Sequence, residues 1–290
     1  MELSQELSIA KVLSWNRGSK CSPRGPWPAE IAPLKTIWNA GDYDRLSRYM
    51  QTEAEAFYHR VAVPPGATLL DVGCGSGQLA LIAARNGVEA TGIDIAQNVV
   101  TRARERARLE GLSARFYEAD AEDLPFANET FDVLMSVIAV MFAPRPTVAA
   151  RELLRVCRRD GIIPMANWTR QGFIGKLFEL LSNYVVSGPM REPFLWGDEA
   201  EVRTLIGSGV SHLQFNRRKT VLTFPFPPDE VVRFFRLYHG PTNRVFASLN
   251  RAGRLSLQAE VEKLWSTHNE AQCGFTKVDA EWLELVAKRT

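Results

Sequence analysis

The stretch LLDVGCGSGQLA, residues Leu69 to Ala80, decides the fold. An apolar run ends at Asp71, and three glycines then alternate with small residues before a helix-forming segment begins. Glycine costs backbone entropy on folding, so such a cluster indicates that another group must approach the main chain closely. The dinucleotide fingerprint requires glycine where Gln78 stands, and the phosphate-binding loop requires a Gly-Lys-Ser/Thr ending that is missing here. The sequence therefore favours a different kind of ligand.

Acidic side chains follow three predicted strands at the ends that would face this ligand. Asp71 ends the first strand and Asp94 ends the second. After the third strand come Asp120, Ala121 and Glu122. A carboxylate after the second strand is suited to ribose hydroxyls, and polar groups after the third can meet an adenine edge. Asp71 would repel a pyrophosphate and attract the ammonium group of an amino-acid tail. We interpret the ligand as a nucleoside with a zwitterionic tail.

Four sequence blocks resemble the motifs of the class I S-adenosylmethionine-dependent methyltransferases. In order, the blocks are LLDVGCGSG (69–77), ATGIDIAQN (90–98), YEADAEDLPF (117–126) and FDVLMSVIAVMF (131–142). The resemblance runs from about Trp38 to Thr169, with the spacing of the family. Within that family the chain is most similar to the ubiquinone/menaquinone-biosynthesis-like small-molecule methyltransferases. One glycine motif is weak evidence, whereas four blocks in order are specific.

This resemblance implies a fold, a cofactor and a set of binding residues. The fold would be a Rossmann-like, doubly wound α/β sheet of seven strands in the order 3-2-1-4-5-7-6, with strand seven antiparallel. The cofactor would be S-adenosyl-L-methionine, with Asp94 on the ribose and Ile95 beside the adenine. The implied cofactor-binding residues are Tyr43, Asp71, Gly73, Cys74, Gly75, Gly77, Asp94, Ile95, Asn98, Asp120, Ala121, Glu122, Val137 and Met141.

The pattern along the chain supports one such domain. Predicted strands are 67–72, 90–94, 115–119, 131–137, 161–167, one or two within 213–226, and 282–287. Predicted helices include 43–63, 77–84, 96–109, 147–157, 172–186, 229–257 with a break at Gly240 and Pro241, and 259–268. Four prolines within 22–33 favour an irregular N-terminal arm over 1–42. The methyltransferase domain would then cover 43–290, with a helical cap insert at about 228–272.

The loop after the fourth predicted strand departs from the family pattern. Many relatives carry Leu-His-His there, where this chain has Val140, Met141 and Phe142. We therefore expect an apolar wall beside the reacting methyl group. His239, which ends a predicted cap helix, is the candidate general base if one is needed. The expected acceptor pocket includes Phe142, Trp168, Phe235 and Tyr238.

Composition limits the partners. Lys plus Arg total 35 against 33 Asp plus Glu, a net charge of +2, so we expect no nucleic-acid partner. The run RARERAR (102–108) is interpreted as a solvated helix face because glutamates lie within and beside it. No apolar run reaches about 18 residues, so we expect no membrane insertion and a cytoplasmic location. Four cysteines without a CxxC pair indicate neither a metal site nor a disulfide framework.

The sequence thus predicts methyl transfer from S-adenosylmethionine to a small, partly apolar metabolite by in-line displacement. One alternative is a methyltransferase acting on tRNA or protein, although the (D/N/S)PP(Y/F)-type motif of base methylation is missing after the fourth strand. Another is a non-catalytic module that binds the cofactor. The acceptor, the atom methylated and the oligomeric state stay open.

Overall fold

A seven-stranded sheet lies at the centre of the fold, within a computed structural model that describes residues 31–184 and 193–290. Its strands are β1 (Thr68–Val72), β2 (Glu89–Asp94), β3 (Arg115–Glu118), β4 (Phe131–Val137), β5 (Cys157–Trp168), β6 (Val210–Phe224) and β7 (Thr276–Arg289). They lie in the order β3-β2-β1-β4-β5-β7-β6, and β7 runs antiparallel to both neighbours. The predicted sheet is confirmed, including its reversed last strand.

Helices flank this sheet and extend above one edge. They are α1 (Ile31–Asn39), α2 (Tyr43–Ser47), α3 (Gln51–Val61), α4 (Gln78–Arg85), α5 (Gln97–Leu109), α6 (Pro146–Val156), α7 (Phe173–Ser182), α8 (Glu199–Ile206), α9 (Pro228–Tyr238), α10 (Gly240–Ser248) and α11 (Arg251–His268). Short 3-10 turns occupy 48–50, 140–142, 195–197 and 207–209. Within the described ranges, no helix has both the length and the apolar character that crossing a bilayer requires.

The order of the strands creates a crevice beside β1. Leu69, Leu70 and Val72 of β1 are fully buried, as expected for a parallel strand covered on both faces. From β1 the chain builds outward through β2 to β3, and then returns to place β4 on the other side of β1. The connections at the carboxyl ends of β1 and β4 therefore diverge, which is where ligands bind in sheets of this kind.

The last two strands deliver a helical cap to the same edge. β6 and β7 are paired neighbours, yet α9, α10 and α11 connect them instead of a hairpin. Because β6 is parallel to β1–β5, it ends on the crevice side of the sheet, at Phe224. In the cap, α10 packs against α1 and α11 packs against α7. The predicted insert before the last strand is thus a three-helix cap.

The N-terminal region differs from its prediction. Residues 31–39 form α1, with Leu34 and Ile37 buried, so the expectation of an irregular arm is wrong for 31–39. Pro33 lies in the first turn of α1, where a missing backbone N–H breaks no helical hydrogen bond. The remainder of the predicted arm, 1–30, lies outside the described residues.

Several boundaries also differ. β5 begins at Cys157 instead of residue 161, and its polar start contains Asp160 in a left-handed conformation (φ 61°) beside a register shift against β4. The region 213–226 forms one long strand, β6, and β7 begins at Thr276. Helix α7 ends at Ser182; the last residues of its predicted range, 185 and 186, lie outside the described part of the chain.

Candidate cofactor and acceptor site

A cavity of about 280 Å³ lies at the carboxyl edge of the sheet, beneath α1, α2 and the cap. This volume is near the lower end of ligand pockets, so the space suits a small molecule. The polar half of the cavity is lined by Asp71, Gly73, Cys74, Gly75, Asp94, Ile95, Asp120 and Ala121. The aromatic half is lined by Trp38, Phe142, Trp168, Phe178, Phe224, Phe235 and His239.

The glycine loop keeps the main chain open to the polar half. Gly73 and Gly75 both have positive φ, 76° and 52°. A Cβ at Gly73 would lie 2.1 Å from the Cβ of Ala139, so only glycine fits there. A Cβ at Gly75 would meet no described atom within 4 Å, and Gly75 lines the cavity. The loop is therefore a cradle whose unfilled space faces a ligand.

Gly77, also predicted to bind the cofactor, has a structural role at the start of α4. It is buried, adopts φ 85° and caps the start of α4. A Cβ there would lie 2.9 Å from the ring of Phe116. Gly77 does not line the cavity and serves the turn and the packing of α4, so its predicted contact with the cofactor stays a prediction.

The Asp94 carboxylate is held in place by backbone hydrogen bonds and can still accept hydrogen bonds from hydroxyl groups. Its Oδ2 accepts from the Gly75 N–H at 2.9 Å and its Oδ1 from the Ala96 N–H at 2.9 Å. Each oxygen keeps a further lone pair, and the side chain lines the cavity. Desolvation raises the pKa of this carboxyl, while the backbone hydrogen bonds oppose that rise. The carboxylate can therefore accept further hydrogen bonds from a ligand in the cavity.

Asp71 lies deeper and adds negative charge. It is 2% exposed, and its Oδ2 accepts from the Ala80 N–H at 3.2 Å in the first turn of α4. Burial, and then repulsion from Asp94, raises its pKa to about 7. A nearby positive charge on a ligand would favour the ionised form.

The charges around the cavity favour a cationic ligand. Three aspartates, Asp71, Asp94 and Asp120, line it, and no lysine or arginine of the described residues does. S-adenosylmethionine carries a sulfonium, and its amino-acid tail carries an ammonium. The residues present therefore fit this cofactor on charge as well as on the open glycine loop.

Other predicted cofactor residues divide into two groups. Those that line the cavity are Tyr43, Asp71, Gly73, Cys74, Gly75, Asp94, Ile95, Asp120, Ala121 and Val137. Asn98, Glu122 and Met141 do not, and each has another partner. The Glu122 carboxylate is fully buried against Arg145, whose Nε lies 2.7 Å from Oε2. The Asn98 amide donates to the carbonyl oxygens of Asn39 and Gly41 at 3.4 Å each.

Met141 is buried in the core and does not line the cavity, so its predicted place beside the cofactor stays a prediction. It lies in the 3-10 turn 140–142 that follows β4. That turn directs Val140 and Phe142 to the cavity, and Ile138 and Ala139 line it just before. The predicted apolar wall therefore exists with different members. Ile138 has φ 53°, a conformation that a β-branched residue seldom adopts. Nothing in the sequence predicts this conformation.

The aromatic half joins rings from separate segments. Trp38 of α1 lies 4.9 Å from the Phe142 ring, and Phe142 stacks on Phe178 of α7 at 5.7 Å between centroids. Phe142, Trp168 and Phe235 line the cavity as predicted. Tyr238 does not: its hydroxyl accepts from Arg45 Nη1 at 3.0 Å outside the cavity. The result is an apolar chamber next to the polar half.

His239 reaches the aromatic half from the junction of α9 and α10. It is 7% exposed, and its Nδ1 lies 2.8 Å from Thr242 Oγ1. Burial lowers its pKa to about 3. The imidazole is therefore neutral at ordinary pH. A catalytic role for this residue stays a prediction.

Helices α1 and α2 close over the polar half and are fastened on both sides. Asp44 accepts from Ser76 Oγ at 3.0 Å and pairs with Arg102 at 2.9 Å. On the cap side, the Tyr43 hydroxyl accepts from the Gly240 N–H at 2.9 Å.

Arginines of the run 102–108 also form contacts that hold α2 and the glycine loop in place. Beside the Arg102 pair, Arg106 donates to the Ser76 carbonyl at 2.9 Å, and Arg104 donates to the Phe116 carbonyl at 2.9 Å. The predicted solvated face is therefore also a brace for the glycine loop and α2.

The sheet order, the glycine loop and the three aspartates define an α/β protein that binds a cationic nucleoside. A family model described as a methyltransferase domain matches residues 70–165. The uncharacterised protein Rv1403c of Mycobacterium tuberculosis is 34% identical over 248 residues, which cover 84% of this chain and 90% of that protein. The 2-methyl-6-phytyl-1,4-hydroquinone methyltransferase of Synechocystis is 37% identical over 45% of this chain and 43% of its own length.

Solved structures agree on the fold. The YcgJ protein from Bacillus subtilis superposes with a TM-score of 0.56 at 18% identity, covering 82% of this chain and 98% of that one. The phosphoethanolamine N-methyltransferase 2 of Haemonchus contortus, solved in complex with S-adenosyl-L-methionine, gives a TM-score of 0.54 at 16% identity, covering 82% of this chain and 52% of that one. The chain belongs to the class I S-adenosylmethionine-dependent methyltransferase family.

Proposed function

We propose that the protein transfers a methyl group from S-adenosylmethionine to a small, partly apolar metabolite. The observation that carries this proposal is one continuous cavity in which a polar half, suited to the cofactor, opens onto an aromatic half. The Synechocystis relative is named for a phytyl hydroquinone, an acceptor of this general character.

Residues of the polar half would hold the cofactor. Asp94 would accept both ribose hydroxyls, and Ile95 would lie against the adenine, with Asp120 and Ala121 at its polar edge. Gly73 and Gly75 would leave room for the methionine tail. Asp71 would act through its charge on the ammonium group.

The chain's own contribution to the reaction is positioning and exclusion of water. When bound, S-adenosylmethionine supplies a methyl group whose bond to sulfur breaks with the electron pair returning to sulfur while an acceptor lone pair bonds the carbon. An acceptor that carries a proton at the reacting atom releases it to water. The aromatic half would orient the acceptor, and α1, α2 and the cap would exclude solvent; such positioning supplies much of the rate in intramolecular reactions.

A tRNA or protein substrate is less compatible with this arrangement. The aromatic half lies beneath α1 and the cap, in a cavity of about 280 Å³ whose size suits a small molecule better than a macromolecular chain. The net charge of +2 supplies little attraction for polynucleotide. A module that only binds the cofactor would have no use for an aromatic chamber beside it.

Label transfer tests the proposal. The protein and tritiated-methyl S-adenosylmethionine would be incubated in parallel with a small-metabolite extract, total RNA and a protein extract. We expect radioactivity in organic-extractable metabolites, and much less of it with Asp94→Ala at the same subsaturating cofactor concentration. Label in RNA or protein would support the macromolecular alternative. Cofactor binding without transfer to any fraction would support the non-catalytic module.

A further inference from the structure

His239 is the imidazole that borders the aromatic half, and its hydrogen bonding defines which nitrogen carries the proton. Thr242, in the first turn of α10, is fully buried. Among the described residues, the hydroxyl of Thr242 has one hydrogen-bond partner, His239 Nδ1 at 2.8 Å. A buried hydroxyl hydrogen needs an acceptor. The Thr242 hydroxyl therefore donates to Nδ1, and the neutral ring carries its proton on Nε2.

His239 lines the cavity, and Nε2–H is the donor of its ring that remains after the contact with Thr242. It has no hydrogen-bond partner in residues 31–184 and 193–290, yet it is not one of the fully enclosed orphan polar atoms of those residues. The ring around it is bordered by Phe235 at 5.3 Å, Phe178 at 5.8 Å and Tyr43 at 6.2 Å between centroids. An unpaired donor on a ring that borders the aromatic half gains a partner when a ligand there supplies an acceptor atom.

We propose that His239 determines acceptor specificity as a hydrogen-bond donor, its Nε2–H binding a carbonyl or phenolate oxygen on an otherwise apolar ring system. This inference rests on the proposed function, because the acceptor is taken to occupy the aromatic half. It replaces the role of general base, since a nitrogen that already holds a proton cannot accept another without charging the ring. It also disfavours cationic amines, which would meet a donor instead of an acceptor.

The tautomer is the direct test and needs no cofactor. The chain has four histidines, so 15N-histidine labelling gives few signals, and His239→Gln identifies the one in question. Two-bond 15N–1H correlations should show the Nε2–H tautomer and a neutral ring from pH 5 to 8. Thr242→Val should shift His239 toward a mixture of tautomers, while Thr242→Ser, which keeps the hydroxyl, should not. A proton on Nδ1, or a ring that charges within this range, overturns the proposal.

Matched probes test the ligand class. Binding of 2-acetylnaphthalene and 2-ethylnaphthalene would be measured by calorimetry on the S-adenosylhomocysteine complex. We expect His239→Leu to lower the affinity for the ketone by about threefold to tenfold more than the affinity for the hydrocarbon, the usual range for one hydrogen bond. His239→Gln, which keeps an N–H donor, should retain part of the preference.

Two outcomes separate the inference from the proposed function. Equal losses for both probes, or no ketone binding to the wild-type complex, would contradict the donor role while leaving cofactor binding intact. A wild-type protein that does not bind S-adenosylhomocysteine would contradict the proposed function instead, and the tautomer measurement would still decide the state of His239.

Discussion

The polar and aromatic halves of the cavity are built in different ways. The polar half comes from strand ends and the loops beside them, fixed by backbone hydrogen bonds such as those from the Gly73 and Cys74 N–H groups to the Ile93 carbonyl at 2.8 Å. The aromatic half gathers Trp38, Phe142, Phe178 and other rings from distant segments and holds them by side-chain packing. The residues proposed to bind the cofactor therefore lie in short local motifs, whereas those proposed to bind the acceptor come together from distant segments.

The largest effect should come from the backbone of the polar half. Gly73→Ala forces a Cβ to within 2.1 Å of Ala139 Cβ at a φ of 76°. Overpacking and left-handed strain together should cost about 2–5 kcal/mol of stability and remove cofactor binding. Thermal melts and calorimetry would measure both. Gly75→Ala, which meets no described atom within 4 Å, should cost only about 1–2 kcal/mol of strain, and Ala139→Gly should partly rescue Gly73→Ala. Equal damage from the two alanine variants would contradict this account of the loop.

Loss of the Asp94 carboxylate should weaken cofactor binding without unfolding the protein. Asp94→Ala is expected to cost about 1.5–3 kcal/mol of S-adenosylhomocysteine binding free energy, the range for hydrogen bonds to a charged group. Calorimetry would measure it, and a melt of the ligand-free variant would serve as the control. An affinity unchanged within about twofold would remove Asp94 from the ribose role.

The raised pKa of Asp71 predicts a pH dependence of ligand-free stability. Its pKa of about 7 in the fold exceeds the ordinary value of 3.8, so the folded state holds a proton that the unfolded state has lost. The free energy of unfolding attributable to this group should therefore fall as pH rises from about 4 through 7. Denaturation at several pH values would show a shallower fall for Asp71→Asn than for the wild type. Parallel curves would contradict the assignment.

The smallest effect should come from the fastening of α2. Asp44→Asn weakens the contacts to Ser76 and Arg102 that hold this helix over the polar half. We expect S-adenosylhomocysteine to dissociate about threefold to tenfold faster, with less than about 1 kcal/mol lost in stability, because partly exposed ion pairs contribute little. Stopped-flow displacement would measure the rate. Asp229→Asn, which loses an exposed pair with Arg233 in the cap, is the matched control and should leave the rate unchanged.

The contrast between the halves explains what the sequence predicts well. Asp71 and Asp94 end successive buried strands, and parallel strand ends meet at one edge, so their convergence follows from strand pattern alone. Strand pattern does not predict the side-chain directions of residues beyond the strand ends. Gly77 and Glu122 lie within the family motifs, but their conformation and partners direct them away from the cavity.

The sequence predicts the aromatic half less completely because its members depend on tertiary packing. Trp38 lies in α1, a helix that the preceding proline-rich stretch made difficult to predict. Phe178 lies on α7, whose amphipathic pattern does not indicate which element its apolar face contacts. In the turn after β4, the sequence indicates an apolar wall but not that Met141 turns inward while Val140 and Phe142 face the cavity. A helical pattern likewise placed Tyr238 beside Phe235, although only Phe235 lines the space.

A crystal structure of the S-adenosylhomocysteine complex tests the central claim most directly. If the polar half holds the cofactor and the aromatic half holds the acceptor, both ribose hydroxyls should lie within hydrogen-bonding distance of Asp94. The sulfur should then face the rings of Phe142, Phe178 and Phe235. A ribose bound away from Asp94, or a sulfur that faces solvent with the aromatic half sealed from it, would contradict the division of the cavity.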